Sequence, residues 1–141
     1  MVAETATPTT STASSSTSTT KKGVVLVDTP AAAAAACARL RTSRLLAFDM
    51  EGAPLGQLTS LLQLAVSPAE VYVFDVLALG PALFDAAHLL PILTDPKTLK
   101  LCFDGRGDAR ALFHQHGVQV PILLPCRGSQ NLTTTFDRIY T

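Results

Sequence analysis

Asp49 and Glu51 stand one residue apart at the end of "RLLAFDME", a run that otherwise reads as a buried strand. In a strand, side chains at i and i+2 leave from one face, so the two carboxylates point the same way and Phe48 and Met50 point the other. Side by side they repel, and keeping both ionised in a partly buried place costs free energy unless a cation is present. Hard oxygen donors of this kind suit Mg²⁺ or Mn²⁺. A strand that simply stops at Asp49, with both acids in water, would carry the same residues. A second acidic pair lies in "KLCFDGRGDARAL". Asp104 and Asp108 are four apart, hence on one helical face, near a helix N-terminus where negative charge is favoured. Capping accounts for Asp104; Asp108 is already inside the helix, and is either a surface acid or one kept for chemistry.

The elements that must position these acids follow from local pattern. "VVLV", residues 24 to 27, is a β-branched run that reads as a strand. Thr29 has the chemistry of an N-cap, with Pro30 at the first helical position before "AAAAAACARLR". "RLLAFDME" is the second strand. "LTSLLQLAV" and "EVYVFDV", joined through Ser67 and Pro68, read as a hairpin whose two strands flank it. "FDAAHLLPILTDP" gives short helical segments and "TLKLCF" another strand. "DGRGDARALFHQHG" gives a helix with Asp104 as N-cap and Gly117 just past its end. The order β, α, β, β, β, α, β, α predicts an α/β fold, a mixed sheet with helices packed on it.

Bulk properties set the limits. The 141 residues suffice for one domain. Residues 1–22 read as a disordered tail, since the first 20 residues hold 13 Ser or Thr and too little apolar surface to offset the entropy of ordering. A transit peptide is the competing reading, against which stand Glu4 and the lack of arginine there. Net charge is zero, so no basic tract announces nucleic acid through composition, and any such claim must rest on a site. Cys37, Cys102 and Cys126 are odd in number and far apart, which argues against a disulfide framework and a zinc site. With no long apolar run and no signal-like leader, the expectation is a soluble intracellular protein, cytoplasmic or nuclear, that is neither secreted nor membrane-bound.

"FDMEG", followed by "LTSLLQLAV" and "VYVFDV", resembles the first motif and hairpin of the DEDD superfamily of 3′–5′ exonucleases, in particular the ribonuclease D-like domain. "KLCFDGRGDARALFHQHGV" resembles its second motif, and the resemblance covers about residues 23 to 120. It implies an RNase H-like fold and hydrolysis of a terminal phosphodiester by two divalent ions, Mg²⁺ or Mn²⁺, about 4 Å apart. It also implies that Asp49, Glu51 and Asp108 are the metal-ligating, catalytic carboxylates, and that the partner is the 3′ end of single-stranded RNA or DNA.

The chain departs from this family after the second motif. The family's third motif, Tyr or His followed four residues later by Asp on a helix, has no counterpart, and Asp137 and Tyr140 occur in the reverse order. His114 and His116 sit at a helix end and read as C-terminal caps. Where the family continues with a strand and further helices, this chain has "PILLPCRGSQ", which reads as the start of an irregular tail over residues 121–141. The expectation is a C-terminally incomplete domain over residues 23–120 with a partial two-ion site. Three functions compete: a 3′–5′ exonuclease, an inactive module of the same fold that binds nucleic acid or protein, and a structural domain whose acids are incidental. Metal-dependent turnover separates the first from the others.

Overall fold

The computed structural model of the chain describes residues 23–52, 58–102, 105–121 and 123–125. Strand β1 (Val24–Val27) leads into helix α1 (Pro30–Leu40). Thr29 caps that helix, its Oγ1 accepting from the Ala32 amide at 3.3 Å, and Pro30 occupies the first turn, as the sequence implies. Ala33, Ala36, Cys37 and Leu40 are its buried residues, the i, i+3, i+4, i+7 stripe of a helix lying on a sheet. Burial pushes the Cys37 thiol up to about 11.

Strand β2 (Leu45–Glu51) is followed by β3 (Leu61–Ser67) and β4 (Glu70–Asp75), an antiparallel hairpin with an irregularity between Ala65 and Ser67. A short helix α2 (Val76–Leu79), a 3-10 turn (Pro81–Phe84) and helix α3 (Leu90–Thr94) then lead to β5 (Leu99–Cys102), helix α4 (Arg106–His116) and β6 (Leu123–Pro125). The described strands form one six-stranded mixed sheet in the order β1-β4-β3-β2-β5-β6.

Three expectations need correction. β2 is flanked by β3 and by β5, not by both strands of the hairpin; β4 lies one place further out, beside β1. The physical reason is the crossover: the helical connection after β4 returns β5 parallel to β2, pairing Ala47 with Leu101. The stretch read as irregular after Pro121 supplies β6, parallel to β5 with Lys100 opposite Leu123. Finally, Gly105 rather than Asp104 takes the N-cap position of α4, with no side-chain cap bond, while the Gly105 carbonyl accepts from Ala109 at 2.9 Å. Asp104 itself lies outside the described residues, as do residues 1–22, Cys126, Asp137 and Tyr140. Gly117 ends α4 in the left-handed conformation, φ +68°, as expected of a C-terminal glycine.

The strand period of two divides the core unequally. Leu46 and Phe48 of β2, Leu62 and Leu64 of β3, and Tyr72 and Phe74 of β4 join α1, α3 and Leu112 of α4 in the large cluster. The alternate residues form a thin one, in which Ala47 and Ala65 are packed by Leu45 and Val71. Asp49 and Glu51 fall in that second register, so the acids continue the row that starts with Leu45 and Ala47. No described helix is long and apolar enough to cross a membrane.

Candidate active site

The paired carboxylates stand at the end of an inner strand. Leu46, Ala47 and Phe48 are fully buried, Asp49 is half-buried and Glu51 is exposed, so β2 runs from the core outward and delivers the acids at its mouth. Register with β3 fixes them: Asp49 lies opposite Gln63, and Glu51 opposite Leu61. Ser60 holds the open end, donating from both its amide and its hydroxyl to the Glu51 carbonyl, each at 3.1 Å.

Asp49 and Glu51 share a face of β2, as their spacing implies. Burial first, then the charge and hydrogen bond of Glu51, raise the Asp49 carboxyl above the ordinary aspartate value; the Met50 amide opposes this weakly. Two carboxylates that repel at this distance are relieved by a divalent cation, so their oxygens fit a hard metal ion.

Asp108 occupies the first turn of α4. It is half-buried while its neighbours Arg106, Gly107 and Arg110 are exposed. It stands four residues before the fully buried Leu112, on the side of the helix that faces the core. Among the described residues, no three His, Cys, Asp or Glu side chains stand close enough to hold one metal ion, so the structure brings Asp49 and Glu51 together without closing Asp108 onto them.

The other end of α4 holds residues whose setting the sequence did not reveal. His114 is exposed and meets the Phe113 ring edge-on, with centroids 5.5 Å apart. His116 was expected to cap the helix; instead its ring stacks on Phe84 with centroids 4.0 Å apart, and burial lowers its pKa. Among the described residues, its Nε2 and the Thr59 Oγ1 are buried without a hydrogen-bond partner. Thr59 is anchored through its amide, which donates to Gln115 Oε1 at 2.8 Å. The only sequence signal for this arrangement was a polar residue beside each of two apolar runs, which solvent-facing positions share.

Residues 24–136 match the model of a 3′–5′ exonuclease family. Among solved structures, Trypanosoma brucei RNase D in complex with GMP matches at 33% identity and a TM-score of 0.65, over 74% of this chain and 33% of that one. The same enzyme in complex with RNA U12 matches at 33% identity and a TM-score of 0.65, over 74% and 38% of the two chains. The EXD2 exonuclease domain soaked in Mn and GMP matches at 27% identity and a TM-score of 0.64, over 74% and 56%. The chain therefore spans between a third and just over half of these proteins. No curated protein matches it. The mixed sheet with its flanking helices is thus that of an RNase H-like exonuclease fold, and the chain belongs to the ribonuclease D-like 3′–5′ exonucleases of the DEDD superfamily.

Proposed function

We propose that this chain removes nucleotides from the 3′ end of single-stranded RNA by metal-dependent phosphodiester hydrolysis, with Asp49, Glu51 and Asp108 as the metal-ligating carboxylates. The observation that carries this is the Asp49–Glu51 pair, two acids held against their mutual repulsion at the mouth of an inner strand. RNA as substrate is favoured by the RNase D that binds RNA U12, and a divalent ion by the EXD2 domains soaked in Mg and Mn.

The residues present divide the work. Asp49 and Glu51 would hold the ion at the end of β2, and Asp108 would approach it from the first turn of α4. A bound pair of divalent ions supplies a nucleophilic water and stabilises the departing oxygen. Asp49 would bind the ion as a carboxylate, the form that burial first and the Glu51 charge second disfavour without a cation. Ser60 keeps the β2 backbone in register while this charge changes, through its two bonds to the Glu51 carbonyl.

No residue of the given sequence after Asp108 forms the Tyr-x-x-x-Asp or His-x-x-x-Asp pair with which this superfamily orients the water, so turnover by this chain is slow. The test is a 5′-labelled single-stranded RNA incubated with the 141-residue chain in Mn²⁺. Slow shortening in single-nucleotide steps, abolished by EDTA and by Asp49→Asn, is the expected result. A second reading is favoured by the want of three converged ligands among the described residues: a module that binds RNA without cutting it. Retarded but uncut RNA, with the same affinity in Asp49→Asn, would establish that reading instead.

A further inference from the structure

Gln63 stands directly opposite Asp49 in the β2–β3 pairing. Residues that face each other across antiparallel strands leave from the same side of the sheet, with Cβ atoms roughly 4.5–5.5 Å apart. The next pair on that side, Ala47 and Ala65, bears this out, since both lie in the thin cluster. β3 is an inner strand, and Gln63 is paired with Val73 of β4 on its other flank, before the irregularity that follows Ala65. Its place beside Asp49 is therefore set by backbone pairing on both sides.

An amide breaks the pattern there. The row that crosses the sheet from Asp49 continues as Gln63, Val73 and Leu26, and β3 offers Leu61 and Ala65 to the same face. Of these neighbours of Asp49, Gln63 alone carries a side-chain donor. It is half-buried, its amide makes no hydrogen bond among the described residues, and its polar atoms are not among those sealed from solvent. Asp49 has the complementary need: burial and the Glu51 charge disfavour its ionised form, and the Met50 amide favours it. An ionised carboxylate offers about four lone-pair sites, more than a metal ion uses. Ligating carboxylates are ordinarily hydrogen-bonded in turn by a neighbouring group, which fixes their orientation.

We infer that Gln63 is a positioning residue of the metal site: its Nε2 donates to the Asp49 carboxylate and holds it in the orientation that ligates the ion. The inference rests on the reading of Asp49 as a metal ligand, and adds to it an uncharged residue that acts through Asp49 and not on the ion itself. A polar side chain kept only because its position is half-exposed would have no effect on the ion.

The test is calorimetric titration of the 141-residue chain with Mn²⁺, without RNA. Gln63→Met and Gln63→Leu keep the bulk of the side chain and remove its donor. Each is expected to weaken Mn²⁺ binding about ten-fold, with a urea midpoint at or above that of the parent. Asp49→Asn is expected to weaken binding as well, and adding Gln63→Met to it to bring no further loss, because the amide acts through the carboxylate. The inference is overturned if either Gln63 variant binds Mn²⁺ as the parent does, or if the double variant loses more than Asp49→Asn alone. It is overturned too if the loss of affinity comes with a lowered urea midpoint, the mark of a merely structural role. These results leave Asp49 as a ligand. A parent that binds no Mn²⁺, or an Asp49→Asn variant that binds it as the parent does, overturns the reading of Asp49 as a ligand and this inference with it.

Discussion

Gly52 and Ser60 meet across the mouth of the β2–β3 pair so closely that a Cβ on Gly52 would stand 2.1 Å from Ser60 Oγ. Gly52 also adopts φ +91°, which side-chain-bearing residues rarely reach. Ser60 is the residue that holds the Glu51 carbonyl, so the glycine lets the chain close tightly behind the carboxylate pair. Gly52→Ala is expected to cost about 1–3 kcal/mol, read from urea midpoints at unchanged slope. Adding Ser60→Gly should recover only part of this, because the clash is relieved and the backbone conformation is not. Full recovery would show that φ contributes nothing.

The raised Asp49 carboxyl makes stability depend on pH in a defined direction. The folded chain holds that proton more tightly than the unfolded chain. Ionisation therefore weakens the fold, and stability falls as pH rises from the ordinary aspartate value through the raised one. Asp49→Asn removes the charge and should flatten this segment of the profile. At neutral pH the variant should be more stable by roughly 0.2–1 kcal/mol, the scale of a like-charge pair on a sheet. Thermal melts of both proteins across the acid range check it, and a parent that gains stability there as pH rises relative to the variant contradicts it.

Which parts of this were legible in the sequence follows the range of the interactions involved. Thr29 with Pro30, and Gly117, were readable because caps are settled within one turn of chain. Asp49 and Glu51 were readable because the strand period puts i and i+2 together whatever lies around them. The neighbour of β2 was not: the partner of Leu45 is Leu99, and no local pattern selects a strand across so long a connection over the nearer hairpin. β6 was hidden because "LLP" is short and ends in proline, which is tolerated at the rim of a sheet but marks a loop when read alone. His116 carries no local mark of its stack on Phe84, a contact made by tertiary packing.

Lys100 is fully buried in β5, and its ammonium donates to the Asp95 carbonyl. Burial lowers its pKa, with the Asp95 charge opposing, so its charged form weakens the fold. This penalty is relieved as pH rises from the lowered value towards the ordinary lysine value. Lys100→Met keeps the volume and removes the charge, leaving one carbonyl without its donor, and is expected to lie within about 1 kcal/mol of the parent. Lys100→Ala leaves a cavity and should cost about 2 kcal/mol or more. Urea midpoints at neutral and alkaline pH separate the two effects: the parent should gain on Lys100→Met as pH rises, and parallel profiles would contradict a buried ammonium.

Asp108 tests the ligand assignment without disturbing the core. As the acid of the first turn of α4, it stabilises that helix end, so Asp108→Asn should cost only about 0.3–1 kcal/mol. Leu112→Ala, one turn further along the same side, should cost about 2–5 kcal/mol, because Leu112 is fully buried in the large cluster. The two variants should part company in Mn²⁺. An ion that binds only the folded chain raises its melting temperature in proportion to the logarithm of its concentration. Leu112→Ala retains the carboxylates, so the ion should raise its lower melting temperature by an increment similar to that of the parent. Asp108→Asn should start near the parent and gain much less, with RNA shortening lost as well. Equal Mn²⁺ increments in the parent and Asp108→Asn, with shortening intact, would leave Asp49 and Glu51 as the whole of the protein's contribution to the ion and remove Asp108 from the site.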